Sequence, residues 1–217
     1  MIITDCMPSR LPTFCPIFGV DIVGFGRPDR DDEVQITLRD ILYAMIRSSY
    51  EAAGLAWARA IIEDRGDGML IIPPADDPPT AMVDPLLDVL RARLHQHNRL
   101  ASPAARIQLR AALHMGLVHR DKHGVAGSAV NHMFRLLDTA QLRDALDQPE
   151  VDLAFIASQH VYDSLIRVHG SLGPENFLPV ECRVKETAAM AWITIPVRGR
   201  RPILSSPGVV PLHRRTS

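Results

Sequence analysis

The segment Arg65-Gly66-Asp67-Gly68 constrains the fold of this chain more than any other. Asp-Gly supplies the positive φ that a tight turn needs, and strand-like runs flank it, Trp57 to Asp64 and Met69 to Ile72. A hairpin is therefore expected here. Further upstream, Ile17-Phe18-Gly19-Val20-Asp21-Ile22 has the length and composition of a buried strand. Adjacent strands would bring Asp21 and Asp67 together at one sheet edge.

The other elements follow from periodicity. Leu38, Ile41, Leu42, Met45 and Ile46 recur at three-and-four spacing and predict an amphipathic helix ending near Gly54. Met82, Val83, Leu86, Leu87, Leu90 and Leu94 predict a second, with Pro85 in its first turn. Ile107 to Met115 reads as a strand, and residues 117–127 turn polar and glycine-containing. A third helix is expected from Val130, with Met133, Leu136, Leu137 and Ala140 on its apolar face. Val151 to Ile156 reads as a short strand, and Ser158 as the N-cap of a helix through Val168. Asn176–Val184 and Ala189–Ile195 complete the chain as a strand pair. The order β-α-β-β-α-β-α-β-α-β-β, with its hairpin, favours an α+β sandwich over an all-parallel doubly wound sheet.

Residues 1–13 read as a lead-in, 14–197 as one domain, and 198–217 as a disordered tail carrying five arginines and several prolines. A length of 217 residues suits one core. Net charge is −1, so nothing global points to nucleic acid or to an anionic membrane surface. No apolar run approaches the ~20 residues that span a bilayer, and no signal peptide is apparent. Three scattered cysteines make no disulfide framework, so a reduced, cytoplasmic protein is expected. His114, His119 and His123 match no familiar zinc spacing.

Paired carboxylates at strand ends suit divalent metals and phosphoryl-transfer chemistry. Three motifs follow in order: Phe18-Gly19-Val20-Asp21-Ile22-Val23-Gly24-Phe25, then Gly66-Asp67-Gly68, then Gly116-x-Val118 followed by Gly127-Ser128-Ala129-Val130-Asn131 and Arg135-Leu136. On these the chain resembles the catalytic domain of class III nucleotidyl cyclases, the adenylyl and guanylyl cyclase family. Ala157-Ser158 and Val184-Lys185-Glu186 add weaker matches.

The resemblance implies a ferredoxin-like cyclase sandwich, with a mainly antiparallel sheet and helices packed on it. It implies two Mg²⁺ or Mn²⁺ ions per site, held by Asp21, Asp67 and the carbonyl of Ile22. Asn131 would orient the ribose and Arg135 would stabilise the transition state. Lys185 and the turn Val23-Gly24-Phe25-Gly26 would contact phosphates. Metals come from one subunit and Asn and Arg from the other, so a head-to-tail homodimer is implied.

For base choice, Glu63 stands where guanylyl cyclases carry Glu and adenylyl cyclases Lys. Its carboxylate accepts from guanine N1–H and N2–H₂ and would repel adenine N1, while uracil and cytosine can also pair with it. The partner position falls on Gly124, which has no side chain, with His123 as a possible substitute. Gly26 and the acidic loop 29–33 also depart from the family pattern. The rival expectation is a cyclase-like domain that binds a nucleotide or a partner without catalysis.

Overall fold

The computed structural model describes residues 11–148, 150–184 and 187–196. The expected lead-in up to residue 10 and the tail from residue 197 lie outside them. The chain starts its order earlier than periodicity suggests: β1 spans Thr13–Ile22. It continues with α1 (Asp32–Ala52), β2 (Ile61–Asp64), β3 (Gly68–Ile72) and α2 (Leu86–Leu100). Then come β4 (Leu109–Asp121), β5 (Gly124–Ala126), α3 (Ser128–Leu137), α4 (Ala140–Ala145) and β6 (Leu153–Ser158). A short α5 (Gln159–Val161), β7 (Leu178–Val184) and β8 (Thr187–Thr194) complete the described chain.

Among the described residues the strands form one sheet in the order β2-β3-β1-β4-β6-β8-β7, with β5 paired to β4. The β4–β6 pairing is parallel and the others are antiparallel. The architecture is thus the expected α+β sandwich on a mainly antiparallel sheet. Strand alternation divides β1 between two cores. Phe18, Val20 and Ile22 face a layer with Leu38, Leu42 and Ile46 of α1 and Leu90 and Leu94 of α2. Ile17 faces Val130, Met133 and Leu137 of α3.

Four sequence expectations change. The strand expected over Ile107 to Met115 does not end there: β4 runs on to Asp121 and turns back into β5. The third helix does not continue to Ala140. It stops at Leu137, and α4 starts anew after Thr139, whose hydroxyl donates to the Leu136 carbonyl (2.9 Å). Trp57–Arg59 is a 3₁₀ turn, so only Ile61–Asp64 of that run is strand. Ser158 does cap a helix, accepting from Val161 N–H, but Tyr162–Ile166 widens into a π-turn with Arg167 N–H bonded to the Tyr162 carbonyl. No described helix is long and apolar enough to cross a membrane.

Helix α3 packs tightly on the sheet where side chains vanish. A Cβ on Gly116 would stand 2.6 Å from the Ala129 Cβ, so a methyl there forces helix and strand apart. Gly116→Ala is expected to cost about 1–3 kcal/mol, measured as a lowered urea midpoint; an unchanged midpoint would contradict this packing.

Candidate functional site

Pairing β1 between β3 and β4 places three charged residues side by side. Asp21 lies opposite Gly68 on β3 and opposite Arg110 on β4. Asp67 immediately precedes Gly68, and its carbonyl accepts the Ile22 N–H at 2.9 Å. The turn before it is held by the Asp64 carboxylate, which accepts the Gly66 N–H (2.6 Å), and by Arg39 of α1, which bonds Asp64 and the Gly66 carbonyl.

The carboxylate of Asp21 is gripped by Arg110 through two bonds, Nε to Oδ1 at 2.8 Å and Nη2 to Oδ2 at 2.7 Å. Both side chains are about 15% exposed or less. Sequence reasoning missed Arg110; the signal was its place opposite Asp21, which needs the strand register. Burial pushes the Asp21 carboxyl up to about 6. The nearby charges of Asp67 and Asp138 push the same way, and Arg110 opposes them through its hydrogen bonds and its charge. Removing Arg110 removes that opposition. In Arg110→Gln the Asp21 midpoint is expected above 6, read by carboxyl-carbon NMR titration; an unmoved or lower midpoint would contradict the pairing.

The chemistry of this donor set fits hard divalent cations. Two carboxylates and a backbone carbonyl are oxygen donors, and a cation between the aspartates would relieve their mutual repulsion. Among the described residues, no group of three or more His, Cys, Asp or Glu side chains forms a metal cluster.

The glycine-containing turn after β1 is fastened from behind. Arg30, only 4% exposed, donates to the carbonyls of Val23 (3.2 Å), Gly24 (3.0 Å), Ala104 (3.1 Å) and Arg106 (2.7 Å). Asp31 caps α1 by accepting the Val34 N–H (2.9 Å). The unusual acidic loop thus serves as a helix start. Gly24 and Gly26 are exposed, and Phe25 packs against the core.

Glu63 sits on edge strand β2 facing the β4–β5 hairpin. Its Oε1 accepts the Val125 N–H at 2.6 Å, and Arg65 donates to its other oxygen. Gly124 has φ +128, and a Cβ there would overlap the Glu63 carboxylate. Glu63 therefore fills the space that a side chain at 124 would need. His123, at the hairpin tip, is exposed and donates its backbone N–H to Asp121 (2.7 Å). Glu63, His123 and Gly124 line a cavity of about 510 Å³ with Ile61, Arg65 and Arg120. Asn131 is exposed on α3 and Arg135 is half-buried one turn later. Lys185 lies outside the described residues.

His114 does not join His119 and His123. It meets His132 of α3 (ring centroids 4.6 Å) and shares a hydrogen bond with the Ser158 hydroxyl (2.9 Å). Burial, then the charges of His132 and His160, lower it to about 4. A depressed His favours the neutral folded state, so its contribution is full above the unfolded value near 6.5. That contribution is lost as pH falls through 4. Asp21 has the opposite sign, contributing below the unfolded value and losing it as pH rises through 6. The difference between wild type and His114→Gln isolates the histidine: the wild type is expected to lose stability from pH 6.5 to 4 more steeply, measured by urea unfolding at each pH. Parallel profiles would contradict this.

The fold is that of class III nucleotidyl cyclase catalytic domains. An adenylate/guanylate cyclase/hydrolase from Silicibacter pomeroyi superposes with a TM-score of 0.60 at 21% identity, over 86% of this chain and 98% of that one. The adenylyl cyclase CyaB from P. aeruginosa gives 0.56 at 14% identity, over 86% and 96% of the two chains. A guanylate cyclase domain from Catenaria anguillulae, solved with GTP, gives 0.53 at 14% over 84% and 96%. No protein-family model and no curated protein sequence matches the chain, so the likeness rests on structure.

Proposed function

We propose that this domain is a nucleotidyl cyclase acting as a head-to-tail homodimer. The observation that carries the reading is the juxtaposition of Asp21 and Asp67 at neighbouring ends of β1 and β3, with the Asp67 charge felt at Asp21. In the reaction the 3′-oxygen of a nucleoside triphosphate bonds to its own α-phosphorus. The bond to the bridging oxygen breaks, pyrophosphate departs, and the hydroxyl proton is lost.

Two Mg²⁺ or Mn²⁺ ions, when bound, lower the pKa of the attacking hydroxyl and neutralise phosphate charge. Asp21, Asp67 and the Ile22 carbonyl would hold them. Arg110 would balance the Asp21 charge, and its planar guanidinium fork suits phosphate oxygens. Gly24, Phe25, Gly26 and Lys185 would meet the phosphates as well. On α3, Asn131 and Arg135 are four residues apart and share a face, the first to orient the ribose, the second to neutralise the α-phosphate as charge develops. They would serve the aspartates of the partner subunit. Glu63 favours guanine.

Arg110's bidentate hold on Asp21 also favours a second reading, a domain that binds a nucleotide or a partner without turning substrate over. Incubation with Mn²⁺ and each of GTP, ATP, UTP and CTP separates the two. Cyclic nucleotide and pyrophosphate are expected, best from GTP, and Asp67→Ala abolishes both. Asn131→Ala or Arg135→Ala should lower turnover by about 10²-fold or more. Mixing Asp67→Ala with Arg135→Ala should restore part of it, since one composite site stays intact. Binding without turnover of any of the four would overturn the enzyme reading.

A further inference from the structure

We infer that Arg65 is a base-reading residue, working with Glu63 in place of the absent side chain at position 124. This rests on the nucleotide reading of the site proposed above. Glu63 is the third residue of β2, and Arg65 stands just past the strand's end at Asp64, from where its side chain reaches back to Glu63. Both line the cavity beside the β4–β5 hairpin. Arg65 is held at two points: it donates to the Glu63 carboxylate, and its guanidinium lies 5.1 Å over the Phe134 ring on α3. Phe134 lies between Asn131 and Arg135 on that helix, so the base-reading pair and the proposed ribose and phosphate contacts share one support.

Hydrogen-bond counting selects the base. A carboxylate offers about four lone-pair positions. The Val125 N–H and Arg65 occupy two, which leaves two acceptor positions on Glu63. Arg carries five N–H donors in a rigid fork, and stacking on an aromatic face leaves its edge available. Glu63 thus presents acceptors and Arg65 a donor, side by side. Guanine uses all of these: N1–H and N2–H donate to Glu63, and O6 accepts from Arg65. Adenine uses only two, N6–H to Glu63 and N1 from Arg65. Uracil and cytosine likewise use two each. Arg65 therefore removes the simple repulsion of adenine that an isolated glutamate implies, and replaces it with a graded preference for guanine. Gly124 is what allows the arrangement, since a Cβ there would displace the glutamate.

The test is equilibrium binding by the full chain, with Mn²⁺ and the α,β-methylene analogues of GTP, ITP and ATP, which cannot be cyclised. Calorimetry on wild type is expected to rank guanine first. Hypoxanthine, lacking the N2 amino group, and adenine should each bind about tenfold or more weaker. Arg65→Leu should lower affinity for the guanine analogue by about tenfold and shrink the guanine-to-adenine ratio. Affinity for inorganic tripolyphosphate should stay unchanged in that variant, and Arg65→Lys should fall between. Arg65→Leu with the wild-type ratio, or with tripolyphosphate binding lost in equal measure, overturns the inference. Wild-type binding without base preference overturns it while leaving the cyclase reading standing. Guanine-selective binding with no turnover of native nucleotides does the reverse.

Discussion

The antiparallel pairing of β1 with β4, unbroken from Thr13 opposite Val118 to Ile22 opposite Leu109, is the constraint on which the rest hangs. A slip of one residue would send Phe18, Val20 and Ile22 to the wrong core and Asp21 to the wrong face. Burial on both sides of the sheet makes such a slip costly, so the register is fixed by packing well away from the charges. The charges then have no freedom to avoid one another. Asp21 is delivered into partial burial beside Asp67, and Arg110 arrives opposite it by the same register. An ion pair this sheltered contributes little net stability, because desolvation offsets most of the attraction. What it does is hold a negative group ready in a place where water alone would not keep it charged.

Much of this was legible in the sequence because it rests on local chemistry. The amphipathic stripe of α1 and the serine cap after β6 depend on neighbours within a few residues, and each appears where expected. The β2–β3 hairpin also forms, but its positive φ falls on Gly66 rather than on Gly68 of the Asp-Gly pair, which is already strand. The helix break at Thr139 was hidden, since Ala140 continues the apolar spacing while the backbone ends at a hydroxyl-to-carbonyl bond. The β4–β5 hairpin was hidden for another reason. Its outer strand is only three residues long, Gly124-Val125-Ala126, so pairing rather than periodicity defines it.

The candidate site divides along the same line. Asp21, Asp67, Glu63, Asn131 and Arg135 are candidates on motifs, each tied to a local signature. Arg110 meets Asp21 only through strand pairing, and Arg65 meets Phe134 only through the packing of α3, so spacing carried no trace of those contacts. Gly124 reads from the sequence as a loss, a reader without a side chain. The fold turns that vacancy into room for the Glu63 carboxylate.

Buried Arg30 has a directional consequence for the turn that follows β1. A trans peptide is planar, so its C=O and N–H point to opposite sides. With the carbonyls of Val23 and Gly24 drawn inward to one guanidinium, the amide hydrogens of Gly24 and Phe25 must face the other way. Two adjacent backbone dipoles are thereby aimed as a fixed pair, their positive ends turned from the protein's own arginine. Because the same guanidinium also clasps Ala104 and Arg106, the aim is set when the chain folds. An anion arriving there would find the donors already oriented.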